Sequence, residues 1–221
     1  MVSAITISQN IPTDTWVKLP WADYTALVDG PAYDTARCYY DLGEMLIEMA
    51  PLGPSHARDN AILSKVVSLF ATLKMIRVAE YVNCTFRRAG TRDAQPDLAF
   101  YLGQNTRFPI RNNEPVDVTT YGVPQLVIEV AASSLNEDLG TKRLLYERFG
   151  VDEYWVVNVA SNKVIAFSIA DGRSGEIRES KLLPGLSMEL VEDALKRGRS
   201  DDDGAINRWL IKSFSESDEN L

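Results

Sequence analysis

The sequence predicts an α/β fold, a central mixed β-sheet flanked by helices, and three stretches carry that expectation. The first runs from Val123 to Val159. Leu126–Val130 is an apolar run too short for a typical helix and rich in β-branched residues, so it reads as a buried strand. Ser134-Leu-Asn-Glu137 has capping-box spacing, which predicts a helix from about Glu137 to Phe149, and Gly150 stands where a helix-ending glycine would. Glu153 to Val159 gives the next strand, so the whole is βαβ-like and most simply parallel. The second stretch is His56 to Met75, where Ile62, Leu63, Val66, Leu69, Phe70 and Leu73 recur at helical spacing, with Ser55 as candidate N-cap. The third is a pair of short apolar segments, Arg77–Arg88 and Gln95–Leu102, which read as further strands.

The rest of the chain fits around these. Residues 1–20 read as an irregular N-terminal arm, residues 21–185 as the main domain, 186–214 as a C-terminal helical appendage and 215–221 as a disordered tail. Ala22–Val28 is a short helix stopped by Asp29-Gly-Pro31. Ala36–Tyr40 and Glu44–Met49 flank Asp41-Leu-Gly43 and predict a hairpin. Arg87–Arg92 is a basic turn whose simplest reading is a solvated loop. Residues 103–122 are polar and long for a loop, which suggests a flap or a short helix. Lys163–Ile169 and Ile177–Leu183 read as a second hairpin, and Met188–Arg197 and Asp203–Phe214 as terminal helices.

Composition narrows the class. The 221 residues carry a net charge of −8, which argues against a generic nucleic-acid coat protein. It leaves room for an enzyme that meets nucleic acid in one local cleft through a metal ion. Cys38 and Cys84 are the only cysteines and His56 the only histidine, so a multi-histidine metal site within one chain is excluded. Two free thiols and the lack of a signal-like or spanning segment predict a cytoplasmic protein without a membrane partner. The sequence sets no oligomeric state, and a homodimer is among those it allows.

Two charges break the apolar pattern. On a helical wheel Leu139, Leu145, Tyr146 and Phe149 share a face with Lys142 at its centre, while Glu129 interrupts a core strand. Lys142 could snorkel, and Glu129 could lie at an exposed strand end. Opposite charges on adjacent elements favour a shared site instead. Asp97 stands at the start of another strand. Carboxylates converging at strand ends suit a hard ion, Mg²⁺ or Mn²⁺, which can bind a phosphate oxygen and lower the pKa of bound water. A nearby lysine then orients or activates that water and offsets charge on the phosphate.

Pro96-Asp97, Gln125-Leu-Val-Ile-Glu-Val130, Asp138-Leu-Gly-Thr-Lys142 with Tyr146 and Gly150, and Glu153-Tyr-Trp155 resemble the Uma2 family of endonucleases. Tyr40-Asp-Leu-Gly43, Met49-Ala-Pro51 and His56 match its N-terminal pattern, and the resemblance spans roughly residues 20–185. It implies the restriction-endonuclease-like fold of the PD-(D/E)xK superfamily and a Mg²⁺-dependent nuclease acting on DNA. Asp97 matches the motif aspartate and Glu129 the acidic second position. Position 131 is Ala where the superfamily has Lys, and Lys142 matches the lysine that this family places on the following helix. Glu48 and Glu44 are candidates for an additional acid, with Tyr39 standing where relatives carry Glu. The Val130 carbonyl is expected to complete the ion's ligands, with the Asp97 and Glu129 carboxylates roughly 4–6 Å apart and the Lys142 ammonium within reach of Glu129. Lys142→Met is expected to cost no stability, because a buried ammonium is desolvated. A catalytically silent binding or regulatory module, or a hydrolase of a smaller phosphate ester, are the competing expectations.

Overall fold

The computed structural model describes residues 11–33, 36–49, 53–104 and 106–216. Most of the expected arm and the tail from residue 217 lie outside them. In chain order the elements are β1 (Val17–Lys18), α1 (Trp21–Val28), β2 (Arg37–Asp41), β3 (Glu44–Glu48), α2 (Pro54–Leu73), β4 (Val78–Val82), β5 (Phe86–Arg88), β6 (Arg92–Ala94) and β7 (Leu98–Leu102). Then follow β8 (Val116–Asp117), α3 (Val118–Tyr121), β9 (Leu126–Ala131), α4 (Leu135–Leu139), α5 (Thr141–Phe149), β10 (Glu153–Asn158), β11 (Lys163–Ala170), β12 (Arg173–Ile177), α6 (Met188–Arg197) and α7 (Asp203–Glu216). No described helix is long and apolar enough to cross a membrane.

The strands form two six-stranded sheets. The central one has the order β12-β11-β10-β9-β7-β4. Its β9 and β10 run parallel with Glu129 opposite Val156, and its other pairs are antiparallel. Alternation along the strands gives this sheet two apolar faces. Leu98, Phe100, Ile128, Val130, Trp155 and Val157 look toward α2, α6 and α7. Ala99, Tyr101, Val127, Ala131, Tyr154 and Val156 look toward α5 and the second sheet. The helices at 188–197 and 203–216 therefore bury Leu195, Ile206, Leu210 and Phe214 in the same core as α2.

The second sheet, β1-β3-β2-β6-β5-β8, shares a core with the α5 face of the first. It turns Tyr39 and Leu46 inward to the α5 side and packs Cys38, Tyr40, Met45 and Ile47 outward with Tyr24 of α1. Both cysteines are free thiols.

Several expectations change in detail. The strand expected over residues 77–88 is two strands in different sheets, β4 and β5, separated by Asn83 in a left-handed conformation (φ 51°). The hairpin after β10 turns at Asp171-Gly172, so β11 pairs with 173–177 rather than 177–183. Gly53 caps α2, with Pro54 in its first turn and Ser55 already helical. The basic turn is no solvated loop, because all three of its arginines are bound inward. Arg87 pairs with Asp93 and Asp29, Arg92 with Asp41, and Arg88 donates to the Phe149 carbonyl. The helix expected from 137 to 149 breaks at Gly140 into α4 and α5. A Cβ there would lie 2.8 Å from the Asn136 carbonyl oxygen, so a glycine permits the break.

Candidate active site

The site grows from one irregular strand start and one strand interior. Asp97 immediately precedes β7, and Glu129 lies in β9, the strand paired with it. Two backbone contacts lock them together. The Val130 amide donates to Asp97 Oδ2 at 2.8 Å, and the Asp97 amide points to Glu129 Oε2 at 3.4 Å. Both side chains are 1 % exposed. From the second sheet, alternate residues of β2 reach the pair: Arg37 forms an ion pair with Asp97 Oδ1, and the Tyr39 hydroxyl lies 3.2 Å from Glu129 Oε1. Tyr39 is also 3.0 Å from the Gln95 carbonyl, and its single proton serves one acceptor at a time. Tyr146 of α5 donates to Glu129 Oε1 at 2.7 Å. His56, buried in the first turn of α2, places Nε2 3.1 Å from Asp97 Oδ1 and Nδ1 3.1 Å from Asn60.

Lys142, in the first turn of α5, is 1 % exposed and does not snorkel. Its Nζ pairs with Glu48 Oε1 at 2.6 Å and with Asp138 Oδ1 at 3.0 Å, and lies 4.2 Å from the Tyr39 ring centre. Its ion pairs are with Glu48 and Asp138, and Glu129, toward which it was expected to reach, acts on it as a neighbouring charge. Asp138 and Lys142 face each other across the Gly140 break at the four-residue spacing usual on a helix, and Ser134 donates to the other Asp138 oxygen at 2.6 Å. Glu44 is exposed at the far end of β3, about 13 Å of strand rise from Glu48, and does not join this group.

The electrostatics separate the two central carboxylates. Burial drives the Glu129 carboxyl well above its ordinary range; Lys142 opposes that, while Asp97 and Asp138 reinforce it. Burial pushes Asp97 the same way, but the His56 hydrogen bond and the Arg37 charge outweigh it and hold Asp97 below its usual value. Burial alone would lower Lys142, yet Glu129, Asp138 and Glu48 together raise it. It stays an ammonium throughout the neutral range.

Sequence reasoning missed Arg37 and Asp138 as members of this group. Each left a signal. Asp138 stands four residues before Lys142, and Arg37 is a charge at the head of an apolar strand.

These features define an α/β protein whose central mixed sheet carries a buried acid–base cluster beside one parallel strand pair. The chain belongs to the Uma2 family, described as "Putative restriction endonuclease", whose model matches residues 21–204. Its fold is similar to that of a solved chain from Anabaena variabilis ATCC 29413, described as "a putative nuclease belonging to DUF820". The two are 16% identical, with a TM-score of 0.52 over 87% of this chain and 99% of that one. No curated protein matches the sequence.

Proposed function

We propose that this protein is a Mg²⁺- or Mn²⁺-dependent endonuclease that hydrolyses DNA phosphodiester bonds. The observation that carries the reading is the burial of Asp97 and Glu129 against one another, at the start of β7 and within β9, with the Lys142 charge acting on Glu129. The acids outnumber their counter-ions. Asp97, Glu129, Glu48 and Asp138 face Arg37 and Lys142, and that excess adds, through Asp97 and Asp138, to the burial that raises the Glu129 carboxyl. A divalent cation would relieve it. Among the described residues no group of three or more acidic, histidine or cysteine side chains is arranged as a metal site. The ligand set of this reading is the Asp97 and Glu129 carboxylates with the Val130 carbonyl, the remaining positions going to water and phosphate, as Mg²⁺ prefers.

Such an ion supplies an activated water and stabilises the leaving oxygen. Asp97 and Glu129 would hold it, each fixed by a backbone amide of the neighbouring strand. Tyr146 and Tyr39 orient the Glu129 carboxylate. Lys142, locked in its charged form, offsets charge on the phosphate and orients the attacking water rather than removing its proton. His56, held between Asn60 and Asp97, positions Asp97. The family description supports a nucleic acid as substrate; the net charge of −8 is what favours a smaller phosphate ester as the second reading.

The test is a panel of plasmid, single-stranded DNA, RNA and nucleotide substrates with Mg²⁺, with and without chelator, on the parent and Asp97→Asn. The proposal expects chelator-sensitive cleavage of DNA that Asp97→Asn abolishes. Turnover confined to nucleotides favours the second reading, and activity unchanged in Asp97→Asn refutes the site.

A further inference from the structure

The hairpin of β2 and β3 sets Arg37 directly opposite Glu48 at its open end. Opposite charges facing each other across an antiparallel pair ordinarily bind one another. This rung sends each of its charges into the site instead. The Arg37 guanidinium sits on Asp97, and Glu48 Oε1 sits on the Lys142 ammonium at 2.6 Å. The rung is also the wetter part of the cluster: side-chain exposure is 15% for Arg37 and 13% for Glu48, against 1% for Asp97, Lys142 and Asp138.

We infer that the Arg37–Glu48 rung is a clasp that holds the resting site closed, Arg37 standing in for the divalent cation on Asp97 and Glu48 for the phosphate on Lys142. The inference rests on the nuclease reading above and adds what must leave before substrate enters. Each stand-in has the sign of the group it replaces and touches the residue that group would touch. Both side chains are long and are the most exposed of the cluster's paired charges, so rotation about their own bonds releases them without moving either strand. A released guanidinium suits a DNA phosphate, which it can grip with two parallel hydrogen bonds. Arg37 and Glu48 are positioning residues in this scheme, exchanging internal partners for external ones.

The clasp makes a prediction opposite to that of a structural ion pair. Removing the guanidinium removes a competitor for Asp97, so Arg37→Met should bind Mn²⁺ about 10-fold or more tightly than the parent by calorimetry. Mn²⁺ should also raise its melting temperature by more than it raises the parent's. Glu48→Gln should likewise bind inorganic phosphate more tightly than the parent. If Arg37→Met does not fold, Arg37→Gln removes the same charge with a polar side chain in its place. Mn²⁺ affinity equal to or weaker than the parent's in the arginine variant overturns the clasp. If the parent's Mn²⁺ binding is then lost in Asp97→Asn, the nuclease reading stands without it. Absence of both Mn²⁺ binding and cleavage in every protein overturns the two together.

Discussion

Glu129 of β9 and Glu153 of β10 are both 1 % exposed, on neighbouring parallel strands, and face opposite sides of one sheet. Glu153, on the α2 side, is wholly occupied with structure. Its oxygens accept from Trp155 Nε1 at 3.0 Å, Ser180 Oγ at 2.9 Å and the Leu182 amide at 3.0 Å, with the Lys181 amide alongside. It pins the 180–183 segment to the strand. Glu129 has two tyrosine hydroxyls, one long amide contact and a crowd of other charges. The same side chain, equally buried, is a clamp where neutral donors converge on it and a carboxyl with a raised pKa where burial is joined by neighbouring acids. Burial alone marks neither; the partners do.

The comparison breaks most sharply on activity. Glu129→Gln should lower Mg²⁺-dependent cleavage by ~10²–10⁴-fold, whereas Glu153→Gln should leave the cleavage rate of the folded protein near that of the parent. Cleavage assays on melts-checked preparations decide it, and equal losses in the two variants would erase the distinction. Next comes Lys142. With Glu48 and Asp138 paired to it, Lys142→Met leaves buried carboxylates without a counter-ion and should destabilise by about 3–5 kcal/mol in urea unfolding. That reverses the sequence expectation, in which only the desolvation of the ammonium counted. Glu153→Ala should cost about 2–4 kcal/mol, because it strands the Lys181 and Leu182 amides.

Smaller effects appear in pH titrations of stability. The folded state raises the Glu129 pKa above its ordinary 4.5, so it binds the proton more tightly than the unfolded chain does. The stability this gives is full below pH 4.5 and is lost as pH rises through the raised value. Asp97 is depressed below its ordinary 3.8, so its contribution is full above that value and is lost as pH falls through the lowered one. Parent-minus-variant unfolding free energies for Glu129→Gln and Asp97→Asn should therefore slope in opposite directions, and parallel curves would contradict the assignment.

Much of the fold was legible because periodicity is local. The β9–β10 unit, the α2 amphipathic face, the 37–48 hairpin and the last two helices all announce themselves within a few residues. The β4–β5 break was not legible, since a change of sheet at Asn83 depends on which strands are met later in the chain. Glu129 and Lys142 stood out as charges on apolar faces, and the structure brings both into one cluster with Asp97, Glu48, His56 and Tyr146. One partner of Lys142 was hidden for another reason: Glu48 reaches it from a hairpin ninety-four residues earlier, whereas Asp138 stands at the four-residue spacing of a helix. Arg37 was hidden in the same way, because a charge at a strand end is ordinary until its tertiary partner is known.

The account turns on whether a divalent ion belongs between Asp97 and Glu129. A crystal of the protein soaked in Mn²⁺ and measured for anomalous scattering tests that directly. The account predicts one dominant peak within about 2.1–2.2 Å of a carboxylate oxygen from each residue, with Arg37 displaced from Asp97, and no such peak in crystals of Asp97→Asn. A map without that peak, or with Mn²⁺ held elsewhere while Arg37 stays on Asp97, would contradict it.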